Sequence, residues 1–227
     1  MLEDALAYPR RGENVLVRHL IGALLMLGGF LFFPILLLYG YLVGVVRGLA
    51  AGDPDPPEWA DWEGLLVDGI KYFAVSLVYG LPAAALSGFV GVASAGLAAG
   101  VAADSPGAVL GFAGIVGLFA LLSAVVGLAA GYLLPAAIVH FVLEEDVWAA
   151  FHLRTIASNA LTRPYFVAWL KTIAVGLVLA VVGGILMIFF LVGLLVFFYL
   201  AVVGTYLLTD GYLAGAGHDA APGADAA

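Results

Sequence analysis

The chain contains no cysteine in 227 residues and few charged side chains, 8 Lys or Arg and 16 Asp or Glu, together 11% of the total. The missing thiols exclude a disulfide framework, a thiolate zinc site and an iron-sulfur cluster. With 64% hydrophobic residues and so little charge, the polar surface is too small to cover a globule in water, which excludes an ordinary soluble enzyme. A net charge of -8 without any basic stripe argues against nucleic-acid binding. Ionisable side chains are also missing from the middle of the apolar stretches: Asp68, Lys71, His140 and Lys171 all sit at edges. Proton relays, ion-coupled transporters and voltage sensors normally carry such a group, so its lack counts against them, while passive conduction past backbone carbonyls stays open.

Lysine is scarce as well. Lys71 and Lys171 stand against six arginines, and most acids fall in two water-facing segments, Asp53 to Asp68 and Glu144 to Asp146. Acid-rich, lysine-poor surface is a halophile composition, in which high salt screens self-repulsion; a high-GC genome is the plainer source of such usage. The amino-terminal stretch does not read as a cleaved signal peptide, because its first apolar run begins after Arg18, is too long and lacks a small-residue cleavage site.

Apolar residues come in four runs, each of about the 20 residues needed to cross roughly 30 Å of hydrocarbon, or longer. The first, Leu20 to Val46, contains Gly28, Gly29 and Pro34. The second is Ile70 to Ala103. Ser105 and Pro106 read as an N-cap followed by proline in the first turn, opening a third run that reaches Val142. That run is roughly 55 Å long as a helix, so a break is expected at Gly131 to Pro135, with Ala136 to Val142 finishing along the interface. Pro164 to Leu208 is long enough for a helical hairpin turning between Met187 and Gly193.

Between the third and fourth runs, Val147 to Thr162 is amphipathic. Ala149, Ala150, Leu153, Ile156, Ala157, Ala160 and Leu161 share one arc and His152, Arg154, Thr155, Ser158 and Asn159 the other. This pattern fits a helix in the membrane interface anchored by Trp148 and Phe151, or a cap helix packed on the bundle. The spacing from Pro34 to Lys71 nearly equals that from Pro135 to Lys171, each enclosing an acidic Trp-bearing loop; internal duplication and ordinary interfacial enrichment both produce it.

The cations bear on the topology and leave two arrangements open, of which the hairpin is preferred. If run one spans once, Arg10, Arg11 and Arg18 lie opposite Arg47, Lys71, Arg154, Arg163 and Lys171; if it turns back at its glycines and Pro34, all eight share one side, as the positive-inside rule prefers.

No chemical motif rises above this architecture. His140 and Glu144 are four apart, but a two-metal bundle needs a second Glu-His set, so interfacial solvation is the reading. Asp68 and Lys71 are spaced for a snorkelling pair at a helix end. Ser76, Ser87, Ser94 and Ser123 have no intramembrane histidine or lysine to activate them. The most ordered intramembrane signal is glycine: Gly40, Gly44 and Gly48, and Gly176, Ala180 and Gly184, form doubled small-xxx-small rows suited to close helix packing. Trp59, Trp62, Asp68, Lys71, Trp148 and Arg154 form the candidate interfacial or partner face.

The segments Tyr8 to Asn14, Gly40 to Arg47, Pro56, Pro57, Trp59, Asp61, Trp62, Asp68 to Lys71, and the later YLLPAAIVHFVLEEDVWAAF, resemble an uncharacterised, largely haloarchaeal family of multi-span proteins, domain of unknown function 4013. The likeness covers about residues 4 to 212 and departs at His140, where an arginine is usual. It implies membrane location and archaeal origin and no activity.

The expectation is an all-α fold, a polytopic transmembrane helical bundle of four to six membrane segments plus one interfacial amphipathic helix. Residues 1–212 form a single integral membrane domain and 213–227 a disordered tail. It is read as a non-enzymatic structural or scaffolding component of the cell membrane, without cofactor, whose partners are membrane lipids and other membrane proteins. The alternative is a permease or channel subunit for a small neutral or lipidic solute.

Overall fold

The computed structural model describes residues 1–187 and 190–217. Among these, eight α-helices and no strand are present: α1 (Leu2–Ala7), α2 (Val15–Leu27), α3 (Phe33–Ala51), α4 (Trp62–Ala102), α5 (Pro106–Glu144), α6 (Leu153–Ala160), α7 (Arg163–Leu186) and α8 (Phe190–Gly215). Five helices are long and apolar enough to cross a membrane, namely α3, α4, α5, α7 and the Val192–Gly215 portion of α8. The fold is an all-α polytopic bundle. The chain divides into two compact units, one of Met1–Val75 with Pro135–Ala227 and one of Ser76–Leu134.

In the larger unit, run one folds back on itself. After α2, a short 3-10 turn over Gly28–Leu31 leads to Phe32, whose φ of 64° reverses the chain, and Pro34 sits in the first turn of α3, where its missing N–H removes no helix bond. The far ends meet as well: the Trp59 indole donates to the Arg18 carbonyl at 3.2 Å and the Tyr8 hydroxyl to the Asp55 carbonyl at 3.4 Å. The start of α2 and the loop after α3 therefore share one end, as in an antiparallel hairpin.

Its core forms where α3 lies on α8. Leu38, Tyr41, Leu42, Val45 and Leu49 pack against Phe198, Val202, Val203, Tyr206 and Leu207, and Ala5 and Tyr8 close one end. Gly22 is buried because the Phe198 ring occupies the place a Cβ would take. α3 and the first part of α4 touch backbone to backbone: a side chain on Gly40 would overlap the Leu65 carbonyl, and one on Gly69 the Leu36 carbonyl. α7 and α8 are antiparallel, with Gly183 against Phe197, Thr172 against Gly204 and Tyr165 against Gly211. The turn expected between Met187 and Gly193 falls partly on residues 188 and 189, which lie outside the described residues; α7 ends at Leu186 and α8 is described from Phe190. α8 continues to Gly215, three residues into the expected tail, and 218–227 lie outside the described residues.

Two expectations are corrected. Ala136 to Val142 does not finish along an interface: all seven residues are buried in the larger unit. The stretch is apolar on every side apart from His140, a pattern that suits lipid and protein interior alike, and here the other helices of the unit cover it. The segment Val147 to Thr162 is not one helix either. Asp146 accepts the Trp148 N–H at 3.0 Å and opens a 3-10 turn over Val147–Phe151, His152 leaves helical geometry, and α6 follows. Ile156 and Ala160 are buried on its apolar arc, while Leu153 and Leu161 stay exposed.

The smaller unit is a helical hairpin by itself. Phe89 stacks on Phe119 with ring centres 5.2 Å apart, Gly96 receives the Phe112 ring, and Gly100 faces Ala108. The Ser87 and Ser123 hydroxyls lie 2.8 Å apart and both lie within hydrogen-bond distance of the Ala83 carbonyl, so one hydroxyl donates to that carbonyl and the other to the carbonyl or to its neighbour's oxygen. Ser105 immediately precedes α5 and Pro106 opens it, as expected. The boundary between the units falls at Leu134 and Pro135 on α5, where a break was expected, yet the backbone stays helical through the proline.

Candidate functional site

The polar chemistry of the larger unit is gathered where α3 ends and α4 begins. Gly52, at φ 82°, closes α3 by donating to the carbonyls of Gly48 and Leu49. Asp61 then accepts the Gly64 N–H at 2.9 Å and starts α4. Between these caps the loop is fixed from within. Trp59 lies flat on Tyr41 at 4.2 Å, and Trp62 stacks on Trp59 at 6.1 Å. Trp59 is half-buried, whereas Trp62 and the acids Asp53, Asp55, Glu58, Asp61 and Glu63 are exposed.

Asp68 is the centre of a charge cluster. Its carboxylate accepts from Arg47 at 2.9 Å and from Lys71 at 3.4 Å. The expected pairing of Asp68 with Lys71 is present, and Arg47 is the partner that sequence spacing did not supply, because it comes from the other helix of the Gly40–Gly69 crossing. A pocket of about 300 Å³ opens beside the cluster, lined by Arg47, Asp68 and Lys71 together with Phe141, Val142, Glu145 and Val147. Trp148 and Arg154, the remaining residues of the candidate face, are exposed.

A second polar node surrounds Arg18, which is 4% exposed. Its guanidinium donates to the carbonyls of Arg11 at 3.0 Å and Glu13 at 3.5 Å. Burial, with Asp53 nearby, pushes the Tyr8 phenol well above its ordinary pKa. A second pocket, about 80 Å³, lies among the helices and is lined by residues including Tyr72, Pro135, Thr205 and Thr209. The Thr209 hydroxyl there is buried without a hydrogen-bond partner.

The two glycine rows behave differently. Gly40 makes the close crossing, Gly44 meets only the Pro57 ring at 3.4 Å, and Gly48 faces Asp53 at 3.5 Å. Gly176 has one ordinary contact, to Leu200 at 3.9 Å, Gly184 has nothing within 4 Å, and Ala180 is exposed. Close packing on α7 and α8 runs instead through Gly183, Gly211 and Gly215.

His140 is 6% exposed, its ring 6.4 Å from that of His152 and 6.2 Å from that of Tyr212. Among the described residues no group of three or more His, Cys, Asp or Glu side chains is placed to hold a metal ion.

Residues 23–188 match the family described as protein of unknown function DUF4013. The chain belongs to this family. The DUF4013 span contains Trp59 and the whole Arg47, Asp68 and Lys71 cluster, while Arg18 precedes it and α8 follows it. No curated protein and no solved structure shows a match to the chain.

Sequence reasoning missed Arg18, Gly22, Gly69 and the buried Asp210. For Gly69 there was a signal in its place between Asp68 and the start of the second run at Ile70. For Arg18 and Asp210 there was none, because each lies in a segment that reads as water-facing; Arg18 is covered by the loop carrying Trp59, which comes from far along the chain.

Proposed function

We propose that the protein is a non-enzymatic structural or scaffolding component of the cell membrane that presents the end built by the Asp53 to Glu63 loop to a partner membrane protein. The observation that carries this reading is that the loop is ordered from inside by Trp59 and Asp61, which leaves its acids and Trp62 facing outward as a preformed surface. A surface held in one conformation avoids the ordering cost that a flexible loop meets on binding. The long apolar faces of α4, α5 and α7 support placement in a bilayer, since hydrocarbon is the medium that covers such surface without cost. Exposed acids and scarce lysine support a saline, archaeal setting.

The test is cross-linking and co-purification from native membranes, comparing the wild type with Asp55→Asn combined with Trp62→Ala. Partner recovery should fall while membrane insertion and thermal unfolding stay unchanged. Undiminished recovery would leave the loop as an interface anchor only.

A second reading, a permease or channel subunit for a small neutral or lipidic solute, rests on the pocket at Pro135 and its unpartnered Thr209 hydroxyl. Solute flux into proteoliposomes above that of empty vesicles, reduced by Thr209→Val, supports it. Flux equal to empty vesicles removes it.

A further inference from the structure

We propose that the pocket beside Arg18 holds the phosphodiester headgroup of a membrane lipid, with an acyl chain lying along the exposed face of α2. This goes beyond the scaffolding reading and does not depend on it.

Arg18 carries a permanent positive charge, since a guanidinium does not lose its proton in a protein. It is buried, its Nε has no hydrogen-bond partner, and among the described residues no carboxylate lies within ion-pair distance. Two backbone carbonyls satisfy part of the group but do not neutralise it. A buried, unpaired charge is costly, and an anion beside it removes that cost.

Space for the anion is present. A pocket of about 130 Å³ is lined by Asn14, Val17, Arg18, Ile21, Glu58 and Trp59. Taking the share of liquid volume per water as about 30 Å³, this admits a group on the order of four or five heavy atoms. The same wall contains the first turn of α2, a helix of 13 residues whose N-cap, Asn14, makes no side-chain capping bond. The open N–H groups at that end add donors and a partial positive charge.

Two features select a lipid over a soluble ion. Val17 and Ile21 in the wall continue to Leu24 at helical spacing, and Val17 and Leu24 are 52% and 56% exposed. An apolar stripe thus leads from the polar pocket along the start of the first apolar run, as an acyl chain leads away from its headgroup. Glu58 also lines the pocket and repels a second negative charge. The site therefore takes a singly charged diester in preference to a phosphate dianion.

The experiment uses the full-length protein in detergent, stripped of native lipid, and follows its thermal midpoint and calorimetric binding at low ionic strength. The probes are dioctanoyl phosphatidylglycerol, dioctanoylglycerol without phosphate, and inorganic phosphate. The phospholipid alone should bind saturably and raise the midpoint; Arg18→Gln should weaken it at least tenfold, and Glu58→Gln, altering an exposed side chain, should tighten it severalfold. Should Arg18→Gln fail to fold, Glu58→Gln and the two control probes still decide. Equal binding of dioctanoylglycerol, equal binding of inorganic phosphate, or an affinity unmoved by Glu58→Gln would each overturn the assignment.

Discussion

Substituting Gly40 by alanine tests the crossing that joins α3 to α4. A Cβ there would overlap the Leu65 carbonyl, and because that atom is backbone in a regular helix, no rotamer change relieves the clash. Gly69 presents the same problem against the Leu36 carbonyl. The helices would have to part, and a gap of about 0.5–1 Å already forfeits a quarter to a half of each dispersion contact across the seam. Overpacking of this kind costs roughly 1–3 kcal/mol, to which the lost contacts add, so about 2–4 kcal/mol is expected for Gly40→Ala or Gly69→Ala. Gly184→Ala is the control: with nothing within 4 Å, it should be neutral or stabilising by up to about 1 kcal/mol through helix propensity. Reversible unfolding in mixed micelles reads all three. The reasoning fails if Gly40→Ala is as stable as the wild type, or if Gly184→Ala is equally damaging.

Asp68→Asn should cost about 0.5–1.5 kcal/mol and remove most of the salt dependence of stability, because Arg47 and Lys71 are 54% and 41% exposed and largely solvated already. Trp59→Ala should cost about 3 kcal/mol or more through loss of the Tyr41 stack and the bond to the Arg18 carbonyl, and Trp62→Ala less than about 1 kcal/mol; equal effects by denaturant titration would contradict the placement of the two rings. Since the chain lacks cysteine, Asn14→Cys and Asp55→Cys each introduce a unique thiol, and both should label from the same side of sealed vesicles. Tyr8 has a phenol pKa raised by burial, so its contribution is fully present below the unfolded value of about 10 and falls as pH rises beyond it; Tyr8→Phe should flatten that alkaline loss in a pH series of melting temperatures.

The parts of the fold that were legible in the sequence were those set by local chemistry. Gly28, Gly29 and Pro34 marked a reversal, and Ser105 with Pro106 marked a helix start, because turn and cap residues act through their own backbone. What was not legible depended on which surface another helix covers. Ala136 to Val142 has the same composition whether it meets lipid or protein, so its burial could not be read from it. Gly40 and Gly176 stand in equally regular rows, yet only Gly40 meets another backbone, since spacing records a face and not what opposes it. Asp68 and Lys71 were visible as neighbours one turn apart; Arg47 joined them only through the crossing, and Arg18 became buried only when the loop after α3 folded over it.

The reversal at Gly28 to Phe32 bears on how the protein enters a membrane. The segment carries no ionisable side chain, and the charged stretches flanking the hairpin meet at its other end. Run one can therefore be inserted as a pre-paired loop without dragging any charge through hydrocarbon. Its orientation would then be indifferent to the transmembrane voltage during synthesis.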